Sequence, residues 1–345
     1  MPSIEKRLNN AAVIKGATWG TAAQAGAASL GISPTNHGAI KLNMPVMECD
    51  EITNANETGI DFANVNAADF TLDFNHNYDG RENLLLAALI GADSEVQQGA
   101  TTAWLHTMAM ADSASGIFVT YAVDKNDKVY VVPSAKVTKA SFSMNNGFIK
   151  SVFSLRGDEV TDADAVVTSL TTVTYPQTCS NRLKCSGAVF RINAQGGDAL
   201  DADDVVSPGQ FTLDIERKMD SVHAAGSANI IEPRENDKPT VKLTMEFPRM
   251  DATNEVWLAS WKAKTEYKAD LTITGPLISG SYYYYLKFEF PRLIIEDFDV
   301  PEAGLLGVKV TFRAVVAAAA PTGMTGLTKP VTVNLMNTLA TGYLD

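Results

Sequence analysis

"FTLDFNHNYDGRENLLLAAL", residues 70–89, changes period halfway along. Phe70, Leu72 and Phe74 alternate with Thr71 and Asp73, the period of two expected of a strand buried on one face. Leu85, Ala88 and Leu89 then recur at helical spacing. Asp79 followed by Glu82 reads as a capping pair at the helix start. The same change of period returns in "LTMEFPRMDATNEVWLASW", residues 243–261. There Leu243, Met245 and Phe247 alternate with Thr244 and Glu246, Asp251 and Glu255 stand near the helix start, and Trp257, Leu258 and Trp261 form the stripe.

A second pair of blocks follows in the same order: "FSMNNGFIKSVFSLRG" from Phe142 and "FDVPEAGLLGVKVTFRA" from Phe298. Both read strand, turn, strand, with Gly147 and Gly304 in the turns. Ile149, Phe153 and Leu155 match Leu306, Val310 and Phe312, and Arg156 aligns with Arg313. Two blocks matched in order predict a mainly β fold, a β-sandwich or barrel with a flanking α-helix, whose unit is duplicated in the chain.

The units are expected at residues 40–165 and 205–318, with an N-terminal arm over 1–39, connecting strands over 166–204 and a C-terminal arm over 319–345. Phe74 to Phe142 is 68 positions and Phe247 to Phe298 is 51, so the first copy carries about 17 extra residues. These are expected as a surface loop within 92–116, rich in Gly, Ser, Asp and Gln.

With 345 residues and 46% hydrophobic content the chain can bury a core in each of two units. A formal charge of −12 opposes a surface that grips nucleic acid through clustered Lys and Arg. Cys179 and Cys185 can either stay reduced or close a small loop; with Cys49 they make an odd count. "MPSIEKRLNN" has no apolar signal core, and no window reaches the length of a membrane span.

Chemistry is not visible. The four histidines are scattered, and His76 and His106 read as polar surface residues. No nucleophile elbow, phosphate loop or dinucleotide fingerprint occurs. "GGDALDADD" lacks calcium-loop spacing and reads as a solvated acidic loop. "SYYYYLKFEF" must send its tyrosines to both faces of a strand, which suits sheet stabilisation. Catalytic, cofactor and metal residues are therefore expected to be none.

"ATWGTA" near the N-terminus, "ENLLLAALIGA" after a strand and "FEFPRLIIEDFDVPEAGLLGVKVTFRAV" together resemble the major tail tube proteins of long-tailed bacteriophages, across most of residues 14–316. The resemblance implies a structural virion protein that self-assembles into stacked rings, a hollow tube through which DNA passes. A terminator or adaptor ring and, from another class, a carbohydrate-binding β-sandwich are the alternatives. Two units per chain would allow homotrimeric rings with pseudo-sixfold symmetry; homohexameric rings are the other arrangement. Further partners implied are the tape measure protein and genomic DNA in the lumen, and terminator and tip proteins at the ends, with no membrane; assembly would occur in the host bacterial cytoplasm.

Three residues carry expectations of their own. Trp19, in the small-residue stretch "IKGATWGTAAQAGAA", is the anchor candidate of a flexible strap, docked either on a neighbouring subunit or on its own domain. Asp73 and Glu246, on the non-core faces of the matched strands, are the lumen-lining candidates, since carboxylates repel DNA phosphates.

Overall fold

The computed structural model describes residues 10–25, 31–37, 41–42, 46–48, 60–62, 67–125, 128–145, 147–162, 170, 173–175, 181–249, 256–300 and 307–345. The N-terminal half contributes β1 (Ala11–Lys15), β2 (Gly31–Ile32), β3 (Asn36–His37), β4 (Lys41–Leu42), β5 (Val46–Glu48), β6 (Ile60–Phe62), β7 (Ala68–Asn75), β8 (Ser94–Gln97), β9 (Trp104–Ala109), β10 (Val119–Asp124), β11 (Val129–Asn145), β12 (Phe148–Gly157) and β13 (Thr161–Asp162). From the C-terminal half come β14 (Ala188–Ala194), β15 (Val205–Val206), β16 (Gln210–Glu216), β17 (Met219–Asp220), β18 (Arg234–Glu235), β19 (Thr240–Phe247), β20 (Glu266–Ser279), β21 (Tyr282–Asp299), β22 (Val308–Ala314) and β23 (Thr332–Asn337). Helix α1 (Glu82–Ile90) follows β7 and α2 (Val256–Ala263) follows β19. The fold is mainly β, as the alternation predicts, and among the described residues all strand pairs are antiparallel.

One order of pairing occurs twice. In the first half β3 and β4 pair with β7, then β7 with β12, β12 with β11, β11 with β10, β10 with β1 and β1 with β2. In the second, β16 pairs with β19, then β19 with β22, β22 with β21, β21 with β20, β20 with β14 and β14 with β15. Irregularities recur as well: the ladder shifts between Val137 and Lys139 opposite Leu155 and Ser154, and between Ile295 and Asp297 opposite Phe312 and Thr311. A second shift falls between Val119 and Tyr121, and again between Tyr267 and Ala269. Bulges bend and twist a strand at a fixed place, so their recurrence sets the register between the halves more sharply than alternation does.

That register keeps Phe70 with Leu243 and Leu155 with Phe312, but it sets Ala140, not Phe142, against Phe298. A slip of two leaves every side chain on its own face, which is why hydrophobic alternation does not detect it. Gly147 takes the left-handed conformation its turn requires (φ 86°); Gly304 and Leu306 lie outside the described residues.

The expected loop at 92–116 contains a hairpin, β8–β9, and this hairpin extends the sheet of the other half: β9 pairs with β23, which pairs with β21. β23 thus lies between two strands, within the expected C-terminal arm. Likewise β1 lies within the expected N-terminal arm, yet pairs along its whole length with β10. A single apolar cluster runs through both halves, with Phe142 edge-on to Phe288 at 5.1 Å and the Tyr78 hydroxyl donating to the Ile273 carbonyl at 3.2 Å.

Every residue of helix α1 is buried, and from Leu84 to Ile90 all of them are apolar. Asp79 does not cap it: no side chain caps the Arg81 position, and Asp79 instead accepts from Asn181 Nδ2 at 2.6 Å and Thr338 Oγ1 at 3.2 Å. Glu82 reaches back to the Asn77 N–H at 2.8 Å, and Asn83 Nδ2 donates to the carbonyls of Asn77, Tyr78 and Gly80. The corresponding residues Asp251 and Glu255 lie outside the described residues. At the other end, the buried Arg217 guanidinium donates to Leu89 O, Ile90 O and Ala111 O at 2.6–2.9 Å and pairs with Glu235 at 2.9 Å, so a residue of the second half closes the helix of the first.

Arg217→Met would withdraw the guanidinium from three carbonyls and a carboxylate, of which Ile90 O and Glu235 keep a backbone N–H donor; loss of about 3–5 kcal/mol in denaturant unfolding is expected. Burial raises Glu82 from 4.5 to about 7, so the folded state holds its proton where the unfolded chain has lost it, and stability falls as pH rises between those values. Glu82→Gln is accordingly expected to match the parent below pH 4.5 and to gain on it up to pH 7, by as much as about 3 kcal/mol in paired melts across that range.

Candidate functional site: a polar face across the shared sheet

Residues paired directly across a ladder share a face. One row runs from Asp73 through Val152, Ser141, Asp214 and Lys242 to Arg313, crossing six strands of both halves. Glu246, opposite Lys309, lies on the same side, four residues along from Lys242. Behind this face Phe70, Leu72, Leu213, Leu243 and Phe312 are buried. The structure therefore brings both carboxylates expected at a lumen onto one polar surface.

The charges of that surface are mixed in sign. Lys150 pairs with Asp73 at 3.2 Å, Arg156 with Asp69 at 2.9 Å and Lys139 with Asp214 at 3.4 Å. Lys309 pairs with Glu246 at 3.2 Å, while Lys242 and Arg313 both reach Glu296, at 2.7 and 3.8 Å. Most of these groups are partly exposed, so each pair adds little stability. Their collective effect is to leave no cation of this row uncompensated, while Glu216, Asp297 and Asp299 add negative charge at its margins.

Trp19 stands elsewhere and is half-buried. Its ring is edge-on to Phe118 at 5.5 Å, and Nε1 donates to the Ile230 carbonyl at 3.0 Å, within its own chain. The surrounding small residues are held too: Gly20 N donates to Ser134 Oγ and Ala23 N to Thr120 Oγ1, both at 2.8 Å, and Ala22 joins a small cluster with Ala12, Ala122, Val129 and Val131.

His76 and His106, expected at the surface, are fully buried. Burial lowers His76 to about 4, so it is neutral: Nε2 donates to Asn83 Oδ1 (3.0 Å) and Nδ1 accepts from the Ser151 hydroxyl (2.8 Å). His106 Nε2 contacts the Leu339 carbonyl at 3.0 Å, and its ring packs on Tyr343. Asn83 is close by on α1, but Ser151, Leu339 and Tyr343 lie far away in sequence, where no local pattern announces them. Among the tyrosines, Tyr284 packs inward on Tyr78 at 5.7 Å and Tyr283 faces out. Cys185 Sγ lies 3.4 Å from the Phe148 carbonyl oxygen, while Cys49 and Cys179 lie outside the described residues. Among the described residues no three His, Cys, Asp or Glu side chains converge on a metal position, and no helix is long and apolar enough to cross a membrane.

Trp19→Ala is expected to cost about 2 kcal/mol and lower the melting temperature without changing oligomeric state at ambient temperature. An unchanged melt with altered assembly would instead place the indole's role at a neighbouring subunit.

No protein of curated function matches the sequence. The sequence profile described as phage tail tube protein matches residues 8–336, which takes in both strand–helix units, the polar face they share and the tryptophan segment. The chain belongs to the phage tail tube protein family and is a structural component of a phage tail.

Proposed function

We propose that this chain polymerises into the tail tube itself, as stacked rings around a channel that carries genomic DNA at ejection. Each chain supplies two copies of one tube unit, so three chains complete a ring of pseudo-sixfold symmetry. The recurring strand order with its paired bulges supports two units per chain. The polar face of the shared sheet, Asp73 and Glu246 included, is turned to the channel.

What carries this reading is the ion pairing on that face. A polyanion is held by cations free to displace its counterions. Lysines and arginines already matched with carboxylates, as in Lys150–Asp73 and Lys309–Glu246, offer no such grip, and the excess of acid adds mild repulsion. A wall of this kind stays wetted without retaining DNA. The tape measure protein would occupy the same channel before ejection, with terminator and tip proteins closing the ends; assembly is placed in the host cytoplasm.

Negative-stain electron microscopy of purified, concentrated protein is expected to show tubes built of three-fold rings with a central channel. Six-fold rings of whole chains would overturn the two-unit count, single rings that never stack would move the function to a terminator or adaptor, and lone particles at every concentration would overturn self-assembly.

A further inference from the structure

Strands β14, β20, β21, β23 and β9 stand side by side in that order, and one face of the run carries a polar cluster. Lys287 and Glu289, two apart on β21, share that face. Lys287 stands directly opposite Asn334 on β23, and Asn334 stands opposite Thr107 on β9. Glu289 stands opposite Asp270 on β20, which stands opposite Arg191 on β14. Because β21 and β23 are each paired on both sides, the ladders hold these side chains within reach of one another. The Lys287 side chain is 25% exposed and that of Glu289 only 10%, so water has limited access to them.

The Glu289 carboxylate bridges its two neighbours. Lys287 Nζ donates to Oε1 at 2.5 Å, and Asn334 Nδ2 donates to Oε2 at 2.6 Å. The Thr107 hydroxyl donates to Asn334 Oδ1 at 3.0 Å. This network fixes the orientation of the amide, since turned over it would set its oxygen against a carboxylate. Asp270 also lies 3.4 Å from Lys287 Nζ, but Arg191 holds it through two bonds of 2.9 and 2.7 Å. Glu289 is therefore the base nearest the lysine. One carboxylate gathers an amine and a side-chain amide, while a hydroxyl polarises the amide carbonyl; an ordinary ion pair needs neither of the last two.

We propose that Lys287 and Asn334 join in an intramolecular isopeptide bond, with Glu289 as the acid and base that moves the protons. A proton passes from the Lys287 ammonium to Glu289, leaving a neutral amine beside Asn334. The Nζ lone pair attacks Cγ, and the negative charge gathering on Oδ1 is met by the Thr107 hydroxyl. Glu289 gives its proton to Nδ2 and takes a second from Nζ. The bond from Cγ to Nδ2 then breaks, Oδ1 becomes a carbonyl again, and ammonia leaves, carrying the remaining proton of Glu289 away as ammonium. No electron is gained or lost, so the step needs no oxidant. The product locks β23 onto β21 and makes that pairing permanent, independently of the assembly proposed above.

Mass spectrometry of the purified full chain tests the bond. The parent is expected to be lighter than its sequence by one ammonia, and digestion to release a branched peptide joining Lys287 to Asn334. Lys287→Arg and Asn334→Ala are expected at the full masses of their sequences. Asn334→Asp, which would expel water in place of ammonia, is expected to be lighter by one water. Glu289→Gln keeps both reacting groups and the shape of the side chain, and is expected to slow linkage about a hundredfold or more. A parent at its full sequence mass, both fresh and after prolonged incubation at neutral pH, overturns the bond. So does a loss of ammonia that persists in Lys287→Arg, which would mark a succinimide of the kind Asn146–Gly147 can form. Linkage as fast in Glu289→Gln as in the parent overturns the role given to Glu289.

Discussion

A strand whose backbone is satisfied on both edges by different halves of the chain is the constraint from which the rest of this structure follows. With β16 bonded to β11 and to β19, the two halves have no separate sheets, and the polar row from Asp73 to Arg313 is continuous because the ladders are. The apolar side is continuous for the same reason, with Phe142 meeting Phe288 across the boundary. Hydrogen-bonded ladders fix spacing and direction together, so a joint made this way transmits geometry as well as energy. Arg217 adds a second tie, binding the end of α1 to the segment that leaves β16.

Mixed charge on the shared sheet follows from opposite residues being close enough to interact. A wholly acidic wall would place carboxylates directly across from one another at every rung. Alternating them with lysine and arginine relieves that repulsion, and it withdraws the cations from competing contacts. Negative charge is left over only at the margins, where Asp297 and Asp299 pair with β22 and, among the described residues, with no strand on their other side.

How much of this was legible depended on where each residue's partners lie. β7, β12, β19 and β22 are half-buried, so alternation announced them, and their register followed from Phe70, Leu155, Leu243 and Phe312. β23 hid because it is buried on nearly every side, which removes the alternation a half-exposed strand shows. The β8–β9 hairpin hid for the opposite reason: β8 is an edge strand whose residues are largely exposed, and its composition is that of a loop. β1 is five residues long and begins with two alanines, too little pattern to separate from an arm. For the polar face, Asp73 and Glu246 were legible by parity alone. The lysines and arginines that neutralise them sit on neighbouring strands, and only the ladders reveal the pairing. The apolar run of α1 against the mixed composition of α2 did carry a readable difference in burial, since a helix apolar all round must be covered on every side.

The placement of β23 has a consequence in time. Thr332–Asn337 fills the gap between β21 and β9, so the hairpin that ends at Ala109 acquires its neighbour only after the whole stretch from Ala109 to Thr332 has left the ribosome. At translation rates of about 5–20 residues per second, the first half waits on the order of ten seconds or more for that strand. Until then β9 shows a bare edge, the feature most prone to wrong pairing. Tyr343, buried beyond β23, adds its own tie to the first half: its N–H donates to Asp93 at 2.5 Å and its ring packs on His106. The strand that arrives late therefore brings with it the contacts that hold the waiting hairpin in place.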